Sequence, residues 1–174
     1  MSIKRIFKKL MITVTSIIAV LFIALAAWFF ILGQRSQSGN PPGLVDNRLA
    51  QCPVTPNCVC SEYANDSLHF ISAINLSSAS TSSDSSPDLH GRIKSVITQM
   101  GGIIQQEQNN YLAATFTSAI FRFVDDFEVR TDEQLKVVHV RSASRVGKGD
   151  LGVNRKRVEQ FRTLLLKGNT ASHQ

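Results

Sequence analysis

Phe121-Arg-Phe-Val-Asp-Asp-Phe-Glu-Val-Arg130 and Leu135-Lys-Val-Val-His-Val-Arg-Ser142, separated by Thr131-Asp-Glu-Gln134, decide the fold. Side chains of an extended chain alternate between faces. In the first segment Phe121, Phe123, Asp125, Phe127 and Val129 share one side, and Arg122, Asp126, Glu128 and Arg130 share the other. In the second, Val138, Val140, Ser142 and Ser144 face one way, and His139, Arg141 and Arg145 the other. Strands at Phe121–Thr131 and Leu135–Ser142 joined by so short a turn are antiparallel neighbours. The alternation sets Asp125 among aromatics on the core face. An unpaired buried charge costs several kcal/mol, so Asp125 requires a cation, N–H donors or a raised pKa. On the other face Arg141 comes within reach of Asp126 or Glu128 as a cross-strand ion pair.

Working outward, Gly102–Gln106 and Tyr111–Ser118 read as two more strands around an Asn109-Asn110 turn, and Leu68–Ile74 as another. Ser86-Pro87-Asp88 opens a helix, with Ser at the N-cap and Pro in the first turn. Leu89, Ile93, Val96, Ile97 and Met100 form its apolar stripe, and Gly101-Gly102 ends it. A second helix, Val153 to Lys167, presents Val158, Phe161, Leu164 and Leu165. The expected fold class is α+β: a small antiparallel sheet with two helices packed on one face.

Upstream, Leu10 to Leu32 contains no charged residue. As a helix it rises about 34 Å, enough to cross a hydrocarbon core of roughly 30 Å. Lys4, Arg5, Lys8 and Lys9 precede it without an acidic neighbour, so the basic end stays in the cytoplasm. A cleaved signal peptide is the alternative, but the run is long for one. Cleavage after Ala24-x-Ala26 would also expose Ala27-Trp28-Phe29-Phe30 as the new terminus. The expected organisation is a basic cytoplasmic stretch (1–9), a transmembrane anchor (10–32), a flexible Gly/Pro/Ser-rich linker (33–51), an extracytoplasmic domain (52–167) interrupted by a Ser-rich loop (77–86), and a tail (168–174). The location is the cell membrane, single-pass, with the domain periplasmic in a Gram-negative envelope. All 13 acidic residues follow Leu32, against 15 basic ones there, so the net charge of +6 is largely topogenic and implies no nucleic-acid partner.

Cys52, Cys58 and Cys60 lie in Cys52-Pro-Val-Thr-Pro-Asn-Cys58-Val-Cys60. In an oxidising compartment two of them pair and one remains. A Cys52–Cys58 bridge would close a loop stiffened by Pro53 and Pro56, but the residues alone leave the pairing open. A metal is not expected, because no His or fourth Cys stands nearby to complete a tetrahedral set.

Between the last strand and the last helix runs Ser142-Ala-Ser144-Arg145-Val-Gly147-Lys-Gly149-Asp150-Leu-Gly152-Val-Asn154-Arg155-Lys-Arg157. Its glycines permit close backbone approach, a helix N-terminus with orphan N–H groups follows, and Arg145, Arg155 and Arg157 bracket it. These parts suit an anion held by Arg145, Gly149, Asp150, Gly152, Asn154, Arg155 and Arg157, with Asp125, Asp126, Arg141, Ser142 and Ser144 as a supporting charge network. The alternative is a purely stabilising network, in which Asp150 or Asn154 caps the helix and arginines neutralise Asp125 and Asp126. The turn lacks the Gly-Lys-Ser/Thr ending of a phosphate loop. Catalysis is not the expectation. His69, His90, His139 and His173 belong to no catalytic motif, and His139 would act as a base only beside Ser142 or Ser144. No cofactor is expected.

Three motifs carry a resemblance: Cys52-Pro-x-x-Pro-Asn-Cys58-Val, Phe123-Val-Asp125-Asp126, and Arg141-Ser-Ala-Ser-Arg145-x-Gly-x-x-Asp150-x-Gly152-x-Asn154-Arg155-x-Arg157. The chain resembles the family catalogued as "domain of unknown function 1499" from Cys52 to about Leu165. The resemblance implies no activity, because the family has none established. It does imply export or a membrane helix, and Cys52 with Cys58 as the bridged pair. Cys60 departs from the family's pattern, which has Ser there, and raises the question of how this thiol stays unreactive or whether it links two chains. The expected function is a membrane-anchored extracytoplasmic module binding an anionic small molecule, a lipid headgroup or an envelope protein. The alternatives are a structural or assembly protein without a ligand, and a hydrolase-like enzyme using a buried Asp.

Overall fold

The computed structural model of the chain describes residues 3–76 and 89–167. Its elements are α1 (Ile3–Ser36), β1 (Leu44–Val45), β2 (Arg48–Leu49), β3 (Cys58–Cys60), β4 (Ile74–Asn75), α2 (Leu89–Gln99), β5 (Ile103–Glu107), β6 (Tyr111–Thr117), β7 (Val124–Asp132), β8 (Val137–Ser144) and α3 (Val153–Lys167). The Ser-rich loop 77–86, the Ser86-Pro87-Asp88 helix start and the tail 168–174 with His173 lie outside the described residues.

The sheet is antiparallel and larger than expected, with six strands in the order β3-β8-β7-β6-β5 and β4 also on β8. β3 and β4 lie along the same edge of β8, opposite Arg141–Ala143 and Val137–Val138. The expected strand Leu68–Ile74 shrinks to Ile74–Asn75. Asp66 causes this: its carbonyl accepts the N–H groups of His69 and Phe70, and its carboxylate lies 2.7 Å from His69 Nδ1, winding 66–70 into a turn.

The hairpin β7–β8 has the register Phe127↔Ser142, Glu128↔Arg141 and Val129↔Val140. One face packs on α2 and α3. Ile93, Ile97, Phe127, Val129, Val138, Val140, Val158, Phe161 and Leu165 are all buried there, and the Phe127 ring meets Phe116 at 5.6 Å and Phe161 at 5.1 Å. Buried aromatics at such spacing add edge-to-face attraction to their burial. β7 begins at Val124 instead of Phe121. Arg122 adopts a left-handed backbone (φ 60°), and Phe121 and Phe123 turn away from the core to meet Phe29 of α1 at 5.2 and 6.4 Å.

The opposite face is covered too, and this corrects the expectation of a flexible linker over 33–51. Asp46 and Asn47 are both left-handed (φ 51° and 58°), as a two-residue type I′ hairpin loop requires and as these two residue types tolerate. The β1–β2 hairpin they join presses Leu49, fully buried, onto Cys60, Tyr111 and Ala113. α1 continues past the apolar run and docks through its last turn. A Cβ on Gly33 would stand 1.7 Å from the Phe121 carbonyl oxygen, and Val124 N–H donates to Ser36 Oγ at 2.9 Å. The described residues thus contain three helices, of which α1 is long and apolar enough to cross a membrane.

Candidate functional site

Cys52 and Cys58 are bridged, with Cα atoms 5.7 Å apart. Cys60 is free and buried, and burial pushes its thiol up to about 11. Asn57, inside the bridged loop, is the residue the sequence reading passed over. Its side-chain amide donates to the Gly147 carbonyl (3.0 Å), and its own carbonyl receives Ser144 N–H (3.0 Å) and Asn154 Nδ2 (3.0 Å). The bridged loop therefore clamps the Gly-rich turn to the start of α3. Asn57 stood in the quoted motif, but its type gave no sign that it would be buried.

Asn154, fully buried, is the hub of the start of α3. Its Oδ1 accepts from the Ser142 hydroxyl and from Arg157 Nη1, both at 2.6 Å, and its Nδ2 also donates to Ser144 Oγ at 3.0 Å. Asp150 caps the helix, accepting Gly152 N–H at 3.0 Å and Asn154 N–H at 2.7 Å. An internal carboxylate thus occupies the N-terminal N–H groups that were expected to face an anion.

The arginines have protein partners as well. Arg157 Nη2 meets Asp125 at 2.8 Å, supplying the cation that carboxylate required, and its guanidinium lies 4.7 Å from the Phe116 ring centroid. Arg145 gives Nε and Nη2 to one Asp126 oxygen (3.0 and 2.7 Å) and Nη1 to the Ser36 carbonyl (3.2 Å), so it also fastens α1. Arg141 pairs with buried Glu128 at 2.6 Å, and Glu128 further accepts from Tyr111 Oη and Gly43 N–H. Burial holds Glu128 above the usual carboxylate range despite Arg141. Arg155 points elsewhere, to the carbonyls of Phe70 (3.1 Å) and Leu68 (3.5 Å). Arg145, Arg157, Asp125 and Asp126 therefore meet as two ion pairs on opposite faces of β7, and Arg155 does not join them.

A cavity of about 360 Å³ opens at the turn itself. Phe29 and Leu32 of α1 wall one side, Phe123 and Val124 another, and Val146, Gly147, Gly149, Leu151 and Val153 the third, with Ser118, Asp125, Ser144 and Asp150 as its polar contributors. Its lining is predominantly apolar, and its charged members are carboxylates. A second cavity of about 250 Å³ is polar, with Gln37, Asn40, Thr117, Arg122 and Arg145 among its walls. Small-molecule sites usually span roughly 300–1,000 Å³, so the first cavity stands at the lower end of that range and the second just below it.

The family model described as "Protein of unknown function (DUF1499)" matches residues 48–165. The chain belongs to this family. The match begins at Arg48, inside the β1–β2 hairpin, and takes in the disulfide, the Arg–Asp pairs and nearly all of α3. No curated protein and no solved structure matches the chain.

Among the described residues, the histidines do not assemble a catalytic group with the site. His139 lies on the face opposite Ser142 and Ser144, and its Nδ1 stands 3.2 Å from Ser61 Oγ. His69 bonds Asp66 and the Thr55 carbonyl, and His90 contacts Glu107.

Proposed function

We propose that this family member is a membrane-anchored, extracytoplasmic binding module whose ligand is a membrane amphiphile taken into the cavity beside the end of α1. The observation that carries this reading is the composition of that cavity: the anchor helix supplies part of an apolar wall (Phe29, Leu32) and the Gly-rich turn supplies the rest. A ligand held there is in contact with both the bilayer segment and the folded domain. Lys4, Arg5, Lys8 and Lys9 before the apolar run support a cytoplasmic N-terminus, which sets the domain outside. The disulfide agrees with an oxidising compartment.

The anionic-ligand version is less well supported at this cavity. Arg145 and Arg157 are engaged by Asp126 and Asp125, and the carboxylates of Asp125 and Asp150 line the wall. Carboxylates repel an anion and accept hydrogen bonds, so the polar end of the ligand is a donor, such as a hydroxyl or an amine. The purely structural alternative is favoured by the same arginine pairs, yet those pairs leave the cavity open beside them. The enzyme alternative needs Asp125 free to act on a substrate, and Arg157 engages that carboxylate in an ion pair at 2.8 Å.

Phosphatidylethanolamine, whose headgroup amine is such a donor, tests the reading when it carries a diazirine at the end of one acyl chain. Irradiated in nanodiscs with the full chain, it is expected to label peptides containing Phe123 and Val146–Val153. Labelling confined to Leu10–Leu32 would overturn the binding role and leave an anchor only.

A further inference from the structure

Two loops converge on the last turns of α1. Phe121 and Phe123 in loop 118–123 meet Phe29, and Leu151 in loop 147–153 lines the same cavity as Phe29 and Leu32. Phe29 stands three residues before Leu32, the end of the apolar run, so at ~1.5 Å per residue the domain reaches back about 4–5 Å along the anchor. The run itself exceeds a hydrocarbon core by a similar length. If α1 spans, these loops lie at the level of the lipid headgroups.

The exposed side chains of the two loops fit that level. Ile120 is 79% exposed and Leu151 97% exposed. Leu151 is also held in the left-handed region (φ 54°), a conformation unfavourable for a residue with a side chain. Neighbouring Gly149 and Gly152 would meet no such penalty there. An isolated exposed apolar residue is ordinary, but two of them flanking the exit of an apolar helix form a wedge. Around them stand Arg35, Arg122 and Lys148, all exposed and without an ion-pair partner among the described residues. The acidic groups of the same edge are engaged: Asp125 by Arg157, and Asp150 by the N–H groups of α3. The edge is therefore apolar at its tips and cationic around them, complementary to an anionic bilayer surface. Arg122 also rims the polar cavity of about 250 Å³, where a lipid phosphate has room.

We infer that loops 118–123 and 147–153 rest on the bilayer from which α1 emerges, with Ile120 and Leu151 in the headgroup layer and Arg35, Arg122 and Lys148 against lipid phosphates. This docked pose rests on α1 spanning the membrane. It opens the apolar cavity sideways toward lipid and fixes the domain's orientation, with the β7–β8 turn pointing away. β7 runs from Val124 to Asp132, so that turn stands about 27 Å farther out.

Tryptophan quenching in nanodiscs tests the pose, because Trp28 is the chain's single tryptophan. The full chain is placed in discs of brominated-chain phospholipid with and without phosphatidylglycerol. Ile120→Trp, Leu151→Trp and, as the outward control, Leu135→Trp are each built on Trp28→Phe. Docking predicts strong quenching at Trp28 in the native chain and at positions 120 and 151, at least threefold above position 135. It also predicts that Arg35→Gln, Arg122→Gln and Lys148→Gln together reduce quenching at positions 120 and 151 but not at Trp28. Quenching at Trp28 with positions 120 and 151 no different from 135 would overturn the docked pose while leaving the anchor. Absence of quenching at Trp28 would overturn the anchor and the pose together.

Discussion

Arg157 on α3 holds Asp125 on β7 through a 2.8 Å contact between Nη2 and Oδ2, and its Nη1 bonds Asn154 and Ser142 from the same guanidinium. The two charged side chains are only 12% and 14% exposed. A carboxylate so enclosed depends on its partner more than an exposed one would. The pair is also what keeps a charge acceptable in the wall of an otherwise apolar cavity.

Arg157→Gln is accordingly expected to destabilise the protein by about 3 kcal/mol, because Asp125 loses its cation while remaining enclosed. Asp125→Asn combined with Arg157→Gln should recover a substantial part of that loss. Urea unfolding of the full chain in mild detergent measures both. Equal stability of the native chain and the single variant would contradict the assignment.

Gly33 is the point at which α1 touches the domain backbone, its built Cβ colliding with the Phe121 carbonyl oxygen at 1.7 Å. Gly33→Val should push the helix off the loop and break the Ser36–Val124 and Ser36–Arg145 hydrogen bonds. Limited proteolysis should then cut within 37–43 much faster than in the native chain. An unchanged cleavage pattern would mean that α1 and the domain are not joined as described.

Cys60 is 2% exposed, and burial raises its thiol to about 11. Maleimide at pH 7 should therefore leave the folded chain unmodified and add once after denaturation without reduction. Rapid modification of the folded chain, or a chain-to-chain disulfide on a non-reducing gel, would contradict its burial.

His139 gives the stability a pH dependence of known sign. Burial, aided by Arg130, holds its imidazole below the ordinary 6.5. A group whose folded value is depressed contributes stability that is complete above 6.5 and is lost as pH falls through the folded value. Melting temperature should therefore drop on acidification from pH 7 toward pH 5, and His139→Asn should flatten that drop. Parallel pH profiles for the two proteins would remove His139 as the cause.

Much of this architecture is visible in local pattern. The period-two alternation of 124–144 set which side chains share a face and put Arg141 within reach of Asp126 or Glu128; the register in the folded hairpin selects Glu128. The 3.6-residue stripe of Val158, Phe161 and Leu165 marked α3. Other parts carry no local signal. β3 is three residues long, and Leu44-Val45 and Leu49 are short apolar pieces split by Asp46-Asn47-Arg48, so the cover they form on the second face emerges only in three dimensions. The cavity is likewise illegible, because Phe29, Phe123 and Leu151 come from three separate segments. A sequence also does not tell a free arginine from a paired one: Arg145 and Arg157 looked available for an anion, and each has a carboxylate within 3 Å.

An amphiphile held in the cavity beside α1 is detectable by its mass. Gly149 lines that cavity, has no left-handed backbone, and meets nothing within 4 Å of an added Cβ, so Gly149→Trp fills the space without straining the turn. The most direct measurement is native mass spectrometry of the full chain released from nanodiscs of defined phospholipid, beside Gly149→Trp. One lipid-mass adduct is expected to survive activation strong enough to strip loosely bound lipid, and to be lost in the variant, whose Cys60 remains protected. Identical adduct patterns on the two folded proteins, or no retained adduct on either, would contradict the binding role.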